Sequence, residues 1–270
     1  MTAAGAEPPV EQRLLAKRED GVAHIIFNNP AKRNAVSLDM WERMTKLLGE
    51  FAEDPGLRVL VISGAGGKAF VSGADISKFE SQRSSKEGIA HYNAVGAKAY
   101  AAVYEFPKPT IAKIGGYCIG GGCNLAVCCD IRIATEGSKF GIPAARLGLG
   151  YGYSGVSRLA EIVGVSRAME LFYTAKQITA AEARDMGLVN QVVADGELDQ
   201  TVDALTRQIA ENAPLTIATI KAVAREIGRP STTRDLGKID RMVAACFTSE
   251  DYVEGRRAFM EKRKPVFKGR

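Results

Sequence analysis

An α/β fold, with a largely parallel sheet and a helical C-terminal third, is what this sequence predicts. Three observations carry it. A short apolar run, an amphipathic segment and a second apolar run follow one another between residues 22 and 62. Strand, helix and strand in that order imply a right-handed crossover and parallel strands. Further short strand-like runs recur as far as Val193, and beyond it the pattern turns helical.

The elements follow in order. Val22 to Phe27 reads as a strand, ended by the turn residues Asn28-Asn29-Pro30. From Ser37, a natural N-cap, Leu38, Trp41, Met44, Leu48 and Phe51 recur at helical spacing until Asp54-Pro55-Gly56 stops the helix. Leu57 to Ile62 is apolar apart from Arg58, as a strand covered on both faces would be. Residues 76–100 are polar and irregular and read as a flap or a loosely held helix. Thr110 to Ile114 and Asp130 to Ala134 are two more strands, separated by the glycine-rich GGYCIGGG and a short apolar helix starting near Gly122. Thr179-Ala180-Ala181-Glu182 has the pattern of a capping box; its helix ends at Gly187, before a strand through Val193. Leu198, Val202, Leu205 and Ile209 then form a helical stripe, with later breaks at Pro214 and around Gly228-Arg229-Pro230.

Size and composition narrow the function classes. The 270 residues are 46% hydrophobic and 25% charged, ordinary for a globular protein, and suffice for one large domain or one domain with an appendage. A net charge of +5 suits an anionic ligand such as a nucleotide phosphate but lacks the clustered basicity of a nucleic-acid protein. No apolar stretch reaches about 18 residues, so no transmembrane helix is expected. The N-terminal MTAAGAEPPVEQR has neither the apolar core of a signal peptide nor the composition of a transit peptide, so residues 1–15 read as a disordered lead-in and the protein as cytoplasmic. Four of the five cysteines, Cys118, Cys123, Cys128 and Cys129, sit among Ile, Leu, Ala and Val. Small buried hydrophobes describe them better than metal ligands, and no metal is expected.

Three glycine-rich stretches are candidates for chemistry. Ser63 to Lys68 fails as a phosphate-binding loop, because Ala69 follows Gly67-Lys68 and Ile62 stands where the first glycine belongs. Gly150-Tyr151-Gly152-Tyr153-Ser154-Gly155 fits G-x-G-x-x-G, but no buried strand precedes it and no acid ends a strand about twenty residues on. FVSGADISKF from Phe70 and GYCIGGGCNLAV from Gly116 form the third case, because each puts glycine where the chain leaves a strand. Two backbone N–H groups so freed can converge on one carbonyl oxygen as an oxyanion hole. Tight turns alone remain the simpler account of these residues taken by themselves.

SGADI at Ser72 to Ile76 and GYCIGGGC at Gly116 to Cys123 resemble the paired oxyanion motifs of the crotonase (enoyl-CoA hydratase/isomerase) superfamily. NPAKRNAVS from Asn29, FGIPAARLGLG from Phe140, ITAAEARDMGLVNQVV from Ile178 and the C-terminal AFMEKRKPVF follow in the family's order, so the resemblance runs from about residue 20 to the end. It implies a spiral of ββα turns over residues 16–197 and a helical, trimerising region over 198–270. It implies an acyl-CoA substrate, with coenzyme A arriving as part of that substrate and no separate cofactor, in a homotrimer or dimer of trimers. The oxyanion donors would be the N–H groups of Ala74 and Gly121. Lys32 and Arg33 would approach the nucleotide, the backbone around Ser72 and Ile76 the adenine, and Phe259 and Lys262 the CoA, often of a neighbouring subunit.

The sequence also departs from that family. Asn124 and Ala144 stand where a hydratase carries two glutamates, and neither can act as a general base near neutral pH. Enolate chemistry without a carboxylate base resembles the methylmalonyl-CoA decarboxylase type, in which loss of CO₂ generates the enolate. Tyr151 resembles the tyrosine those enzymes hold near the substrate carboxylate, and SEDYVEGRRAFMEKRKPVF is similar to their tail, although they carry His where this chain has Ala74. Glu80 and His91 are the other acid–base candidates; Arg146 reads as structural. A hydratase with a substitute base and a non-catalytic CoA-binding homologue stay open as alternatives.

Overall fold

The computed structural model describes residues 7–78, 82 and 84–270. A turn of helix, α1 (Val10–Arg13), leads into β1 (Leu14–Glu19), which pairs antiparallel with β2 (Val22–Phe27). Residues 10–15 are therefore built into the fold: Arg13 is buried and donates to Ser37 Oγ at 2.7 Å. The sequence pattern did not reveal β1, because all but its first two residues are exposed and no apolar alternation marks it.

Helix α2 (Leu38–Glu53) follows, with Ser37 at its N-cap position. The Ser37 side chain does not cap, however; it is engaged by Arg13 and Asp39 instead. Strand β3 (Val59–Gly64) lies parallel to β2, and β4 (Ala69–Val71) turns away into a second sheet. Helix α3 (Lys86–Tyr104) occupies most of the stretch expected as a flap. Its buried residues Tyr92, Gly96, Ala99 and Val103 keep helical spacing and pack towards α2, but two are too small to mark an apolar stripe.

The same unit then repeats. Strands β5 (Thr110–Ile114) and β6 (Tyr117–Ile119) lead into α4 (Gly121–Cys128). Next come β7 (Ile131–Thr135), β8 (Lys139–Gly141), a 3₁₀ turn at Pro143–Leu147 and α5 (Tyr153–Val163). Helix α6 (Val165–Thr174), β9 (Ile178–Thr179), α7 (Ala180–Asp185) and β10 (Gln191–Val193) close the spiral. Both capping-box bonds at Thr179 and Glu182 are made. Each turn gives one strand to a six-stranded sheet, β1-β2-β3-β5-β7-β10, and the next to a four-stranded sheet, β4-β6-β8-β9.

Burial explains the apolar runs. Leu60 and Ile62 of β3 point into the main core with Trp41 and Phe51, whereas Val59 and Val61 point to the other face. That second face meets Val22, Ile111, Ile133 and Val193, and is covered by Leu198 and Val202 of α8 (Leu198–Ala210). A strand covered on both sides has no polar face to show. No helix of the described residues is long and apolar enough to cross a membrane.

Helices α9 (Pro214–Ile227), α10 (Leu236–Thr248) and α11 (Glu250–Met260) complete the chain. Asp130 fastens α9 to the spiral: it accepts from Lys221 Nζ and Arg225 Nη2 at 2.7 Å each, and from the Thr110 N–H at 2.8 Å. Burial lowers the Lys221 pKa, against the attraction of Asp130. Asp130→Ala should therefore cost about 3–5 kcal/mol in urea unfolding, the range for stripping the partner from a buried charge. A loss below about 1 kcal/mol would mark the cluster as an ordinary surface pair.

Candidate active site

The small sheet sets the site. The parallel strands β4, β6 and β8 release the chain side by side, at Ser72-Gly73-Ala74, Gly120-Gly121 and Ile142-Pro143-Ala144. All three exits face a cavity of about 870 Å³, which is closed on other sides by α3 and by the loop through Tyr151.

The first exit presents Ala74. Val36 N–H donates to Gly73 O at 2.8 Å, and Asp75 N–H donates to Val36 O at 2.9 Å, so Ala74 is bracketed by a parallel bridge. Successive peptide groups of extended chain point to opposite sides, which turns the Ala74 N–H away from Val36. The second exit presents Gly121, first residue of α4, whose N–H precedes the helix ladder. Gly120 before it has φ 56° and ψ −116°, open only to glycine. Neither the Ala74 nor the Gly121 N–H has an acceptor among the described residues. They also lie close together: a Cβ built on Gly121 would be 3.9 Å from Ala74 N. The N-terminus of α4 adds partial positive charge.

The remaining lining is neutral. Among the described residues that line the cavity none carries a carboxylate, ammonium, guanidinium or imidazole. Asn124 and Ala144 both lie in the wall, and both are buried. Tyr151 also lines it, with its ring edge-on to Phe172 at 4.9 Å and its hydroxyl without a hydrogen bond among the described residues. Burial raises the Tyr151 pKa well above the ordinary phenol value, so the hydroxyl stays protonated through the neutral range.

Sequence reasoning missed Tyr100 and Tyr92 of α3 and the wall position of Trp41. The Trp41 and Tyr100 rings meet at 4.9 Å in a tilted contact, and the Tyr100 hydroxyl donates to Gly121 O at 3.2 Å. A tyrosine at that spacing from a buried one was the available signal, hidden because the whole stretch read as irregular.

The CoA candidates divide into two groups. Ser72 and Ile76 line the cavity, and Ile76 is 59% exposed. Lys32 reaches the same segment, with Nζ 2.7 Å from Asp75 Oδ2. Burial works to raise the Asp75 pKa, but hydrogen bonds from Lys32 and Ser77 outweigh it and leave the carboxyl below its usual range. Arg33 stacks over Tyr117 at 5.1 Å. Phe259 and Lys262, by contrast, do not line the cavity; Phe259 is 83% exposed at the end of α11 and Lys262 lies just beyond it. His91 is exposed on α3 and Arg146 on the 3₁₀ turn, and neither lines the cavity. Glu80 lies outside the described residues.

With this geometry in hand, comparison with known proteins is informative. Residues 17–270 match the enoyl-CoA hydratase/isomerase family. A crotonyl-CoA hydratase of Syntrophomonas wolfei is 36% identical over 256 residues, covering 95% of this chain and 98% of that protein. A peroxisomal Δ(3,5)-Δ(2,4)-dienoyl-CoA isomerase of Arabidopsis thaliana is 35% identical, covering 94% and 95%. Among solved structures, an enoyl-CoA hydratase from Bacillus anthracis superposes with a TM-score of 0.90 at 32% identity, covering 96% of this chain and all of its own.

Proposed function

The chain belongs to the enoyl-CoA hydratase/isomerase family, and from that premise we propose that it turns over an acyl-CoA thioester through an enolate, by a lyase or isomerase step that needs no carboxylate base. The observation that carries this reading is the pair of acceptor-free N–H groups, Ala74 and Gly121, in a wall without ionisable acids or bases. Both N–H groups donate to the thioester oxygen. Their bonds strengthen as that oxygen gains charge, and each such donor is worth about 2.7–4 kcal/mol in the transition state.

With no base in the lining, the electron pair for the enolate comes from a bond that breaks within the substrate. Loss of CO₂ from a carboxylated acyl group does this, and Tyr151 supplies the O–H that orients the departing carboxylate. Lys32, Arg33, Ser72 and Ile76 receive the nucleotide end at the cavity rim. Hydration by a substitute base is the second reading, favoured by the relatives named hydratases. Methylmalonyl-CoA decarboxylation and crotonoyl-CoA hydration, assayed with one preparation, separate the two; activity on neither leaves a CoA-binding homologue.

Tyr151→Phe keeps the ring against Phe172 and removes only the oxygen. It should lower kcat more than it raises KM, because the hydroxyl acts in the chemical step. A kcat within about twofold of wild type would reduce Tyr151 to a wall of the pocket.

Assembly completes the proposal. Phe247, Val253, Phe259 and Met260 are exposed on the C-terminal helices, an apolar surface suited to second copies of this chain. The protein should sediment as a trimer or dimer of trimers, and Phe259→Asp should weaken both assembly and acyl-CoA binding. A monomer with undiminished affinity would contradict the shared site.

A further inference from the structure

The cavity holds a hydroxyl that the reading above leaves unused. Tyr100 adjoins the donor pair: its Oη is 2.8 Å from the point where a Cβ on Gly121 would stand, with Ala74 N 3.9 Å from that same point. The tilted contact with Trp41 holds the ring. Its donated bond, to Gly121 O, is 3.2 Å long, against the ordinary 2.7–2.8 Å or so for O–H···O. The hydroxyl thus stands at the donor pair, held by one long bond to a backbone carbonyl.

Asn124 explains how the tyrosine could release its proton. Asn124 stands in the same wall, its Oδ1 buried without a partner beside Gly155. Its amide acts to lower the Tyr100 pKa, against the burial that raises it. A polar amide beside a phenol favours the phenolate left after proton transfer.

We propose that Tyr100 is the catalytic acid that protonates the enolate at its α-carbon, and that Asn124 is the residue that positions and supports it. The inference rests on the enolate reading of the cavity and adds the group that ends the reaction. As the leaving bond breaks, its electron pair enters the enolate; that pair then forms the new C–H bond while the Tyr100 O–H bond breaks. The phenolate regains a proton from solvent through the cavity mouth. Burial raises the Tyr100 pKa strongly, which keeps the acid protonated between turnovers.

Turnover in D₂O tests this. The wild-type protein, supplied with methylmalonyl-CoA or crotonoyl-CoA, should place deuterium at the α-carbon in one configuration, read by NMR of the product. Tyr100→Phe should lower kcat by about 10²–10³-fold, within the range for a general acid, and should give both configurations because solvent then protonates the enolate from either side. Affinity for butanoyl-CoA should stay within about twofold, which a merely structural defect would not allow. If Tyr100→Phe does not fold, Asn124→Ala serves instead, with a smaller loss of kcat and partial scrambling. Unchanged kcat and a single configuration in either variant would overturn the role of Tyr100 alone. Turnover of neither substrate by the wild type would overturn the enolate reading, and this inference with it.

Discussion

Crotonoyl-CoA hydration by this chain should be at least about 10⁴-fold slower than by a relative that carries both glutamates. Each general acid or base contributes about 10²–10⁴-fold, and on the proposed reading two such groups are replaced by Asn124 and Ala144. Asn124 cannot take a proton from water near neutral pH, and Ala144 has nothing with which to do so. The surrounding wall offers no replacement: its ionisable groups among the described residues are tyrosines, and burial keeps Tyr100 and Tyr151 protonated. Initial rates at saturating crotonoyl-CoA, compared side by side with such a relative, measure the gap. A gap below about tenfold would show that a substitute base exists, and Glu80 and His91 would be the first residues to replace.

Gly121→Ala should cost about 10²–10³-fold in kcat, the loss expected when one oxyanion donor is displaced. The methyl would stand 2.8 Å from Tyr100 Oη, closer than a real Cβ tolerates, and would crowd the space between the two donors. The Tyr100 ring is held against Trp41, so the start of α4 must give way instead. The variant should still fold, because nothing else lies within 3.5 Å of the added carbon. A kcat within tenfold of wild type would remove Gly121 from the site.

Much of the fold was readable because burial left a periodic trace. Val22–Phe27 and Thr110–Ile114 are strands with the bounds the sequence suggested, and the capping box at Thr179 is made as its letters imply. Elements without such a trace were lost. Strand β1 is an exposed edge, and α3 packs through Gly96 and Ala99, whose burial no hydropathy pattern announces. Ser37 shows the limit of local rules: it starts its helix, but a buried arginine from another element takes its side chain.

The site was legible in a different measure. The role proposed for Ala74 and Gly121 is a backbone one, so their letters say only that no side chain obstructs; the family resemblance pointed to them, and the structure shows their N–H groups without acceptors among the described residues and close together. Asn124 and Ala144 stood out as departures from a known pattern, and Tyr151 through its resemblance to the decarboxylase type. Tyr100 was invisible, because its meaning depends on Gly121 and Asn124, more than twenty residues away. Phe259 and Lys262 lie away from the cavity of their own chain, and their proposed role in a neighbour's site had to come from the resemblance.

The central claim is that Ala74 and Gly121 polarise a thioester carbonyl, and the carbonyl itself can report on it. Difference infrared spectra of butanoyl-CoA carrying ¹³C at the thioester carbonyl, bound to the wild-type protein, should show the C=O stretch moved to lower frequency than in water. Gly121→Ala should return most of that shift. An unshifted band in the wild-type complex, at saturating ligand, would contradict the oxyanion hole on which the account stands.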